Sequence, residues 1–428
     1  MLQTIRNAWK IDDIRKKFIF MFFILLLYRL GNAVLVPYVD TSRLSTYFDS
    51  LQNTVFGLMN VMSGSAFSRA TIFALSIQPY INASIIIQLL TIAIPALERL
   101  QKEGGEEGKK KLEKITRYST LLIGVIQGFG YYTIIQSNGL LMPGVAGIWP
   151  AVVIIASFTA GSCLLMWMGE QITEFGIGNG ISIILFVSIV SRFPDNIVKM
   201  VTNVRADPSS LLMNILLLIG VLAIIVLIVI VTQSERRIPV QYAKRVVGRK
   251  MYGGQSTHLP MKVNMSGVLP IIFAQSIASL PATIAMFIPA WSKGWLIDAL
   301  QPTTWTYAVL YFLLIVFFAY FYSTIQFNPI EVANNLKKNG GFIPGFRAGK
   351  PTSEFIQKVL TKITLFGALY LSIIAIAPII IGLFSEKAAS QGIQLGGTSV
   401  IIVVGVALDT VKQVEAQMLM RHYKGFLE

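Results

Sequence analysis

The run GGEEGKK at residues 104–110 has the glycine-rich look of a phosphate-binding loop. Its glycines are wrongly spaced, neither Ser nor Thr follows the lysines, and no strand pattern precedes it, so nucleotide chemistry has no footing there. His258 and His422 stand isolated in polar segments and support neither a metal cluster nor a nucleophile–histidine pair. Cys163 is the single cysteine and lies in an apolar run, so the chain can form no internal disulfide, and the side chain reads as a small buried group. The 21 Asp and Glu all fall in loops or at the ends of apolar runs, with Asp409 the nearest exception. A charge at mid-helix costs roughly 2.5–3.5 kcal/mol on insertion scales and is kept mainly for function. Ion-coupled transporters usually keep an ionisable group near the midplane, and this sequence offers essentially none.

The elements that would carry any chemistry are long apolar runs. Hydrophobic residues make up 54% of the chain and charged residues 13%, with a mean hydropathy of +0.65, which is more apolar surface than one water-soluble core can hide. Runs fall near residues 18–36, 71–95, 118–137, 148–168, 181–192, 211–232, 266–289, 304–325, 363–383 and 398–411. Most approach the ~20 residues needed to cross ~30 Å of hydrocarbon. The fifth and tenth are short and are expected to borrow residues 175–180 and 412–415. The basic stretch before Phe18 resembles the start of a signal peptide, but nine further runs follow, so it reads as a first permanent span. The expected fold is an all-α polytopic membrane protein with ten transmembrane helices.

Charge sets the orientation. With the N-terminus cytoplasmic, Lys and Arg on the cytoplasmic side outnumber those opposite by about four to one, which places both termini in the cytoplasm. The net charge of +15 then reports topology rather than a nucleic-acid-binding face. The spans divide into two sets of five, residues 1–195 and 205–428. An odd number of helices per half forces the halves into opposite orientations, as in an inverted repeat, and points to their interface as the working site.

Three segments stand apart from the spans. Residues 57–70, GLMNVMSGSAFSRA, are too apolar for an ordinary external loop and too short to cross, so they form either a surface-lying amphipathic turn or a segment folded back into the centre. Residues 233–262 alternate basic and apolar side chains as a hairpin would. In residues 326–362, Gly340, Gly341, Pro344, Gly345, Gly349 and Pro351 predict tight turns rather than a helix, with Arg347 presented outward. Either loop could bind anionic lipid headgroups or a soluble acidic partner.

PYINASIIIQLL (79–90), LMWMGEQITEFGIGNGISII (165–184), YGGQSTHLPMKVN (252–264), NPIEVANNLKKNGGFIPGFRAGK (328–350) and GGTSVIIVVG (396–405) together closely resemble the SecY family of protein-conducting channels, across nearly the whole chain. The resemblance implies two inverted five-helix halves around a central pore, opening axially for secreted chains and sideways for membrane segments. It implies a pore ring of Ile77, Ile81, Ile181, Leu185, Ile272 and Ile402. The pairs 77/81 and 181/185 are spaced to share a helix face, and Leu185 stands where the family usually has isoleucine, a volume-conserving change. Aliphatic side chains offer a passing peptide no fixed polar partner and close by excluding water. The resemblance also implies a plug over 57–70 with Asn60, Ser63, Gly64 and Ser65. A lateral gate would lie between spans two and three and spans seven and eight, with Gln88, Gln127, Gln275 and Ser276 able to hydrogen-bond across it or to serve structure alone.

The basic loops resemble the family's docking platform, where Arg236, Arg237, Lys244, Arg245 and Arg347 would meet carboxylates or phosphates. The family usually reads Arg-Pro-Gly where this chain has Arg347, Ala348 and Gly349, which frees a backbone angle proline would fix. Implied partners are small SecE- and SecG-type membrane subunits, the SecA motor, the ribosome, secretory precursors, nascent membrane polypeptides and lipid, with no cofactor and no enzymatic activity. The implied location is the bacterial cytoplasmic membrane. The rival reading is a secondary transporter of a small solute, disfavoured by the missing midplane carboxylates and the large basic loops.

Overall fold

A computed structural model describes residues 2–51, 54–145, 147–206, 210–242, 245–247, 250–252, 256–265, 267–285, 299–301, 304–384 and 397–424. The chain begins with two helices, α1 (Leu2–Trp9) and α2 (Asp12–Gly31), followed by the short α3 (Thr41–Ser50) and α4 (Val55–Met62). Long helices then succeed one another: α5 (Gln78–Ala93), α6 (Pro95–Lys102), α7 (Gly105–Ser137), α8 (Ile148–Phe175), α9 (Gly180–Val190), α10 (Phe193–Ala206) and α11 (Ser210–Gln233). Strands β1 (Glu235–Tyr242), β2 (Arg245–Val247), β3 (Lys250–Tyr252) and β4 (Ser256–Lys262) precede α12 (Leu269–Ala285), α13 (Trp305–Gln326) and α14 (Pro329–Lys338). A two-residue strand β5 (Gly341–Phe342), α15 (Lys350–Phe384) and α16 (Gly397–Lys424) complete the order.

Each of the ten apolar runs carries a helix. Among the described residues seven helices are long and apolar enough to cross a membrane, or eight if the pair α5 and α6, bent by 101°, forms one span. Several boundaries differ from expectation. The helix of the first apolar run, α2, starts earlier, at Asp12, and stops at Gly31, because the chain beyond it pairs instead with the segment ahead of α5: the Val36 amide donates to the Ala70 carbonyl at 2.9 Å and the Ile72 amide to the Val34 carbonyl at 3.0 Å. The same pairing holds Thr71 and Ile72 outside the second span, and residues 73–77 follow as turns, the Ala74, Ser76 and Gln78 amides donating to the Thr71, Phe73 and Leu75 carbonyls. Helix α9 starts at Gly180 and borrows nothing from 175–179, where the Gly176 amide closes α8 on the Ile172 carbonyl. The tenth helix does absorb 412–415.

Burial separates lipid-facing from central helices. Leu212, Leu216, Ile219 and Val226 of α11 are exposed to more than half their area, as a span at the periphery should be. A large buried core instead gathers α5, α9, α12, α13, α15 and α16. A second core, of Leu44, Phe48, Phe67, Tyr131, Phe158 and their neighbours, holds α3 and the segment after α4 against the ends of α7 and α8.

The two basic loops fold as one unit. Strand β1 pairs antiparallel with β4, Arg236 opposite Met261 and Ile238 opposite Leu259, as the alternation predicts. Strand β5, from the second loop, adds to the other edge of β1, Gln241 opposite Phe342, giving the order β4-β1-β5. Ile238, Val240 and Met261 turn inward and meet Leu336, Ile343, Ile356 and Leu360. The second loop is not turns alone. Residues 329–338 form α14, because Asn328 accepts from the Ile330 and Glu331 amides as an N-cap, and Pro329 costs nothing at a first helical position. Pro351 likewise sits in the first turn of α15.

Candidate functional site

Four separate elements contribute six aliphatic side chains to one extended core. Ile77 precedes α5 as its N-cap and Ile81 lies one turn on, the Ile81 amide donating to the Ile77 carbonyl at 3.1 Å, so the pair shares a face. Leu185 and Ile181 come from α9, Ile272 from α12 and Ile402 from α16. Ile77, Ile81, Leu185, Ile272 and Ile402 are buried in the large core, and the half-buried Ile181 packs against it.

Helix α9 reaches this position because two glycines let it cross α8 closely. A methyl group on Gly180 would sit 1.9 Å from the Gly169 carbonyl oxygen, and one on Gly169 would sit 2.7 Å from Cδ1 of Ile181. The start of α9 is fixed by Asn179, which accepts from the Ser182 amide, and by Thr173, whose hydroxyl accepts from the Gly180 amide at 2.9 Å.

Against this cluster lies α4 with the turns that follow it. Met62 and Ala66 belong to the same core as the six aliphatic residues, so the segment is folded inward rather than lying on a surface. It is clipped to itself. Ser63 donates to the Asn60 carbonyl at 3.1 Å and accepts from the Phe67 amide at 3.1 Å, and the Asn60 side-chain oxygen accepts from the Ser68 amide at 3.0 Å. Gly64 and Ser65 both have positive φ, and Gly64 runs so close to α9 that a methyl group there would meet the Ser188 carbonyl oxygen and the Ser191 Oγ at 3.0 Å. Ser188 is held in turn by the Tyr28 hydroxyl, 2.6 Å away.

Beside the cluster runs a polar seam. Gln78 Nε2 donates to Ser276 Oγ at 3.1 Å, joining α5 to α12, and the Tyr322 hydroxyl donates to Gln88 Oε1 at 2.5 Å, joining α5 to α13. Gln88 also donates to Ser84 on its own helix at 3.0 Å. Gln127 and Gln275 are buried on α7 and α12, each with a carbonyl oxygen that has no partner. Gln78 and Tyr322 are site residues beyond those the sequence points to. A glutamine ahead of Pro79 in an apolar run was a usable signal for the first, whereas a tyrosine among the aromatics of α13 carried none.

A cavity of about 440 Å³ opens at the end of the cluster nearest the strands, lined in part by Asn179, Lys262, Asn264, Asp409, Lys412 and Gln413. Asp409, the one acid close to a span interior, thus sits at a polar mouth with two lysines rather than in hydrocarbon. On the strands, Arg236 and Arg237 are exposed, and Arg237 Nε pairs with Glu235 at 2.7 Å. Arg347 is exposed beyond β5, on a tip held by the Phe346–Phe355 ring stack at 4.2 Å and by Thr352, which donates to the Arg347 carbonyl at 2.7 Å. Lys244 lies outside the described residues, and Arg245 is described only through its backbone pairing opposite Tyr252.

Residues 71–411 match the family model SecY, which spans the whole aliphatic cluster and both basic loops. The chain belongs to the SecY family. The protein translocase subunit SecY of Streptomyces coelicolor is 45% identical, with 100% of each chain covered. That of Thermotoga maritima is 41% identical over 100% of this chain and 98% of its own. Solved structures agree on the fold. One described as a protein conducting channel superposes with a TM-score of 0.66 at 16% identity, covering 95% of this chain and 93% of the other. Sec61 in the canine ribosome–channel complex gives 0.63 at 15% identity, covering 95% and 93%. As a SecY-family member the chain is a multi-pass membrane protein.

Proposed function

We propose that this chain is the protein-conducting channel of a bacterial cytoplasmic-membrane translocon, moving unfolded secretory proteins outward and releasing hydrophobic segments sideways into lipid. What supports this reading is that Ile77, Ile81, Leu185, Ile272 and Ile402 from four elements, with Ile181 against them, share one large core with Met62 and Ala66 of the inward segment of residues 57–70. Such a ring excludes water and ions when closed and yields to bulk without offering a polar trap.

In this reading residues 1–195 and 205–428 are two halves that part to open the channel. The 57–70 segment with Asn60, Ser63, Gly64 and Ser65 is the plug. The seam of Gln78–Ser276 and Gln88–Tyr322, with Gln127 and Gln275 beside it, is the lateral gate. The three-stranded platform presents Arg236, Arg237 and Arg347 to a cytoplasmic partner, with Lys244 and Arg245 in the same loop. The translocase relatives, together with the exposed charge, support a SecA-type motor or a ribosome as that partner and small SecE- and SecG-type subunits in the membrane. The excess of Lys and Arg in these loops supports cytoplasmic termini.

The deciding experiment is protease protection of a radiolabelled secretory precursor in proteoliposomes holding this chain with its SecE-type partner, SecA and ATP. Protection that requires every component supports the channel; none, with folding verified, sinks it.

A further inference from the structure

Tyr131 lies on α7, one turn beyond Gln127 and therefore on the same helix face. It is wholly buried, and its hydroxyl donates to the backbone carbonyl of Phe67, near the end of the inward segment of residues 57–70. Its ring packs with Phe67 at 4.6 Å, Phe158 of α8 at 4.9 Å and Phe48 of α3 at 6.1 Å. Helix α7 is in turn locked to α8 by Gly124 and Gly128, where a methyl group would stand 3.4 Å from Thr159 Cγ2 and from the Ile155 carbonyl oxygen. The segment is therefore held to helices before residue 195 by one hydrogen bond, Tyr131 to the Phe67 carbonyl, and by close packing of Gly64 against the end of α9 at Ser188 and Ser191. Met62 and Ala66 add apolar packing in the large core, to which α12 and α16 also contribute.

We propose that Tyr131 is the tether of the plug, a positioning residue whose hydroxyl holds the segment to the helix carrying Gln127 of the gate. This rests on reading residues 57–70 as a plug. The attachments are unequal in kind. Apolar packing is non-directional and yields gradually, whereas Phe67 and Tyr131 are both buried, so breaking their bond leaves a buried carbonyl unpaired. When the proposed halves part, the plug stays with α7, and leaving the pore requires that bond to give way. Tyr131 thereby sets how easily the closed channel is unsealed, without touching the passing peptide.

The test uses the channel assembled with its SecE-type partner in planar bilayers and proteoliposomes. Tyr131→Phe keeps the ring and removes the hydroxyl, and it should raise resting ion conductance by roughly five- to thirty-fold, the range expected for one buried hydrogen bond. A second variant, Gly64→Cys with Ser191→Cys, joins the segment to α9 on oxidation. Oxidised in the otherwise unaltered chain, it should block precursor translocation; free translocation with the disulfide formed refutes the plug reading itself, whatever Tyr131 does. Oxidised in the Tyr131→Phe background, it should return conductance to the unmutated level. If the lock blocks translocation but Tyr131→Phe conducts within two-fold of the unmutated channel, or its added leak survives oxidation, the tether is overturned.

Discussion

Gln78 Nε2 and Ser276 Oγ, 198 residues apart in sequence, meet at 3.1 Å in the interior, and both side chains are buried. In hydrocarbon neither has water to fall back on, yet measured inter-helix hydrogen bonds in membranes average only about 0.6 kcal/mol with a maximum near 1.7, because the separated helices find other partners. The bond is thus strong enough to define a closed seam and weak enough to open.

That balance can be measured. Ser276→Ala leaves the Gln78 amide buried and unpaired and should destabilise the protein by about 1–3 kcal/mol. The double variant with Gln78→Leu should recover much of the loss. Thermal unfolding of the purified complex across the four-member cycle should give a coupling of about 0.5–1.7 kcal/mol. Strict additivity would mean the two side chains do not depend on each other.

Replacing Ile81 and Ile181 together with Asn should loosen the seal, because amides retain water in a constriction that closes by excluding it. The measurement is ion conductance in planar bilayers, expected to rise several-fold with expression intact. A well-expressed variant that stays tight would place these residues outside the permeation path.

Arg347→Glu reverses charge at an exposed site whose fold rests on Ile343, Phe346 and Thr352 rather than on the guanidinium. Membrane insertion and thermal stability should stay within ~0.5 kcal/mol of the parent, as for most surface changes. Partner-driven translocation should be abolished. Ordinary rates from the variant would remove Arg347 from the docking surface.

Two glycines give opposite outcomes. A methyl group at Gly161 would sit 1.8 Å from the Ile72 carbonyl oxygen, a backbone atom held in place by the pairing of residues 34–36 with 70–72, so Gly161→Ala should abolish accumulation of folded protein. Gly220 on the peripheral α11 has nothing within 4 Å, and Gly220→Ala should be neutral or stabilising by up to ~1 kcal/mol. Membrane-fraction yield and melting temperature decide both.

Asp40 caps α3, its carboxylate accepting from the Ser42 hydroxyl at 2.5 Å and from the Arg43 amide at 3.2 Å. The Ser42 hydroxyl first, then the Arg43 amide, hold this carboxyl below its ordinary value of 3.8. Its contribution to α3 is therefore present above that value and lost as pH falls through the lower folded one. Hydrogen exchange at Ser42 and Arg43 should show added opening on acidification in the parent but not in Asp40→Asn, which caps without titrating. Identical profiles would deny the carboxylate that role.

Much of the architecture was legible in the chain. Apolar run length located ten helices, and the alternation of residues 235–242 announced β1. The turn residues 340–349 marked the exposed tip. What misled was local apolarity without partners: residues 71–77 are hydrophobic enough to extend a span, but Thr71 and Ile72 pair with residues 34–36 and the rest fold into successive turns, and residues 329–338 form a helix because Asn328 caps it. Neither the edge pairing of β5 with β1 nor the contact of Tyr322 with Gln88 leaves a trace in spacing, since each joins segments far apart in sequence.

By itself the sequence determined that this protein lives in lipid and, through motifs more than ten residues long, which family it resembles. Those properties follow from transfer free energies that each segment carries alone. Tertiary structure alone decided which aliphatic residues are a cluster rather than lipid-facing surface, and that the 57–70 segment lies beneath it. In a membrane both lipid and protein interior are apolar, so hydrophobicity cannot tell them apart. Only close approach, permitted at Gly161, Gly169 and Gly180, and hydrogen bonds such as Gln78–Ser276 do so.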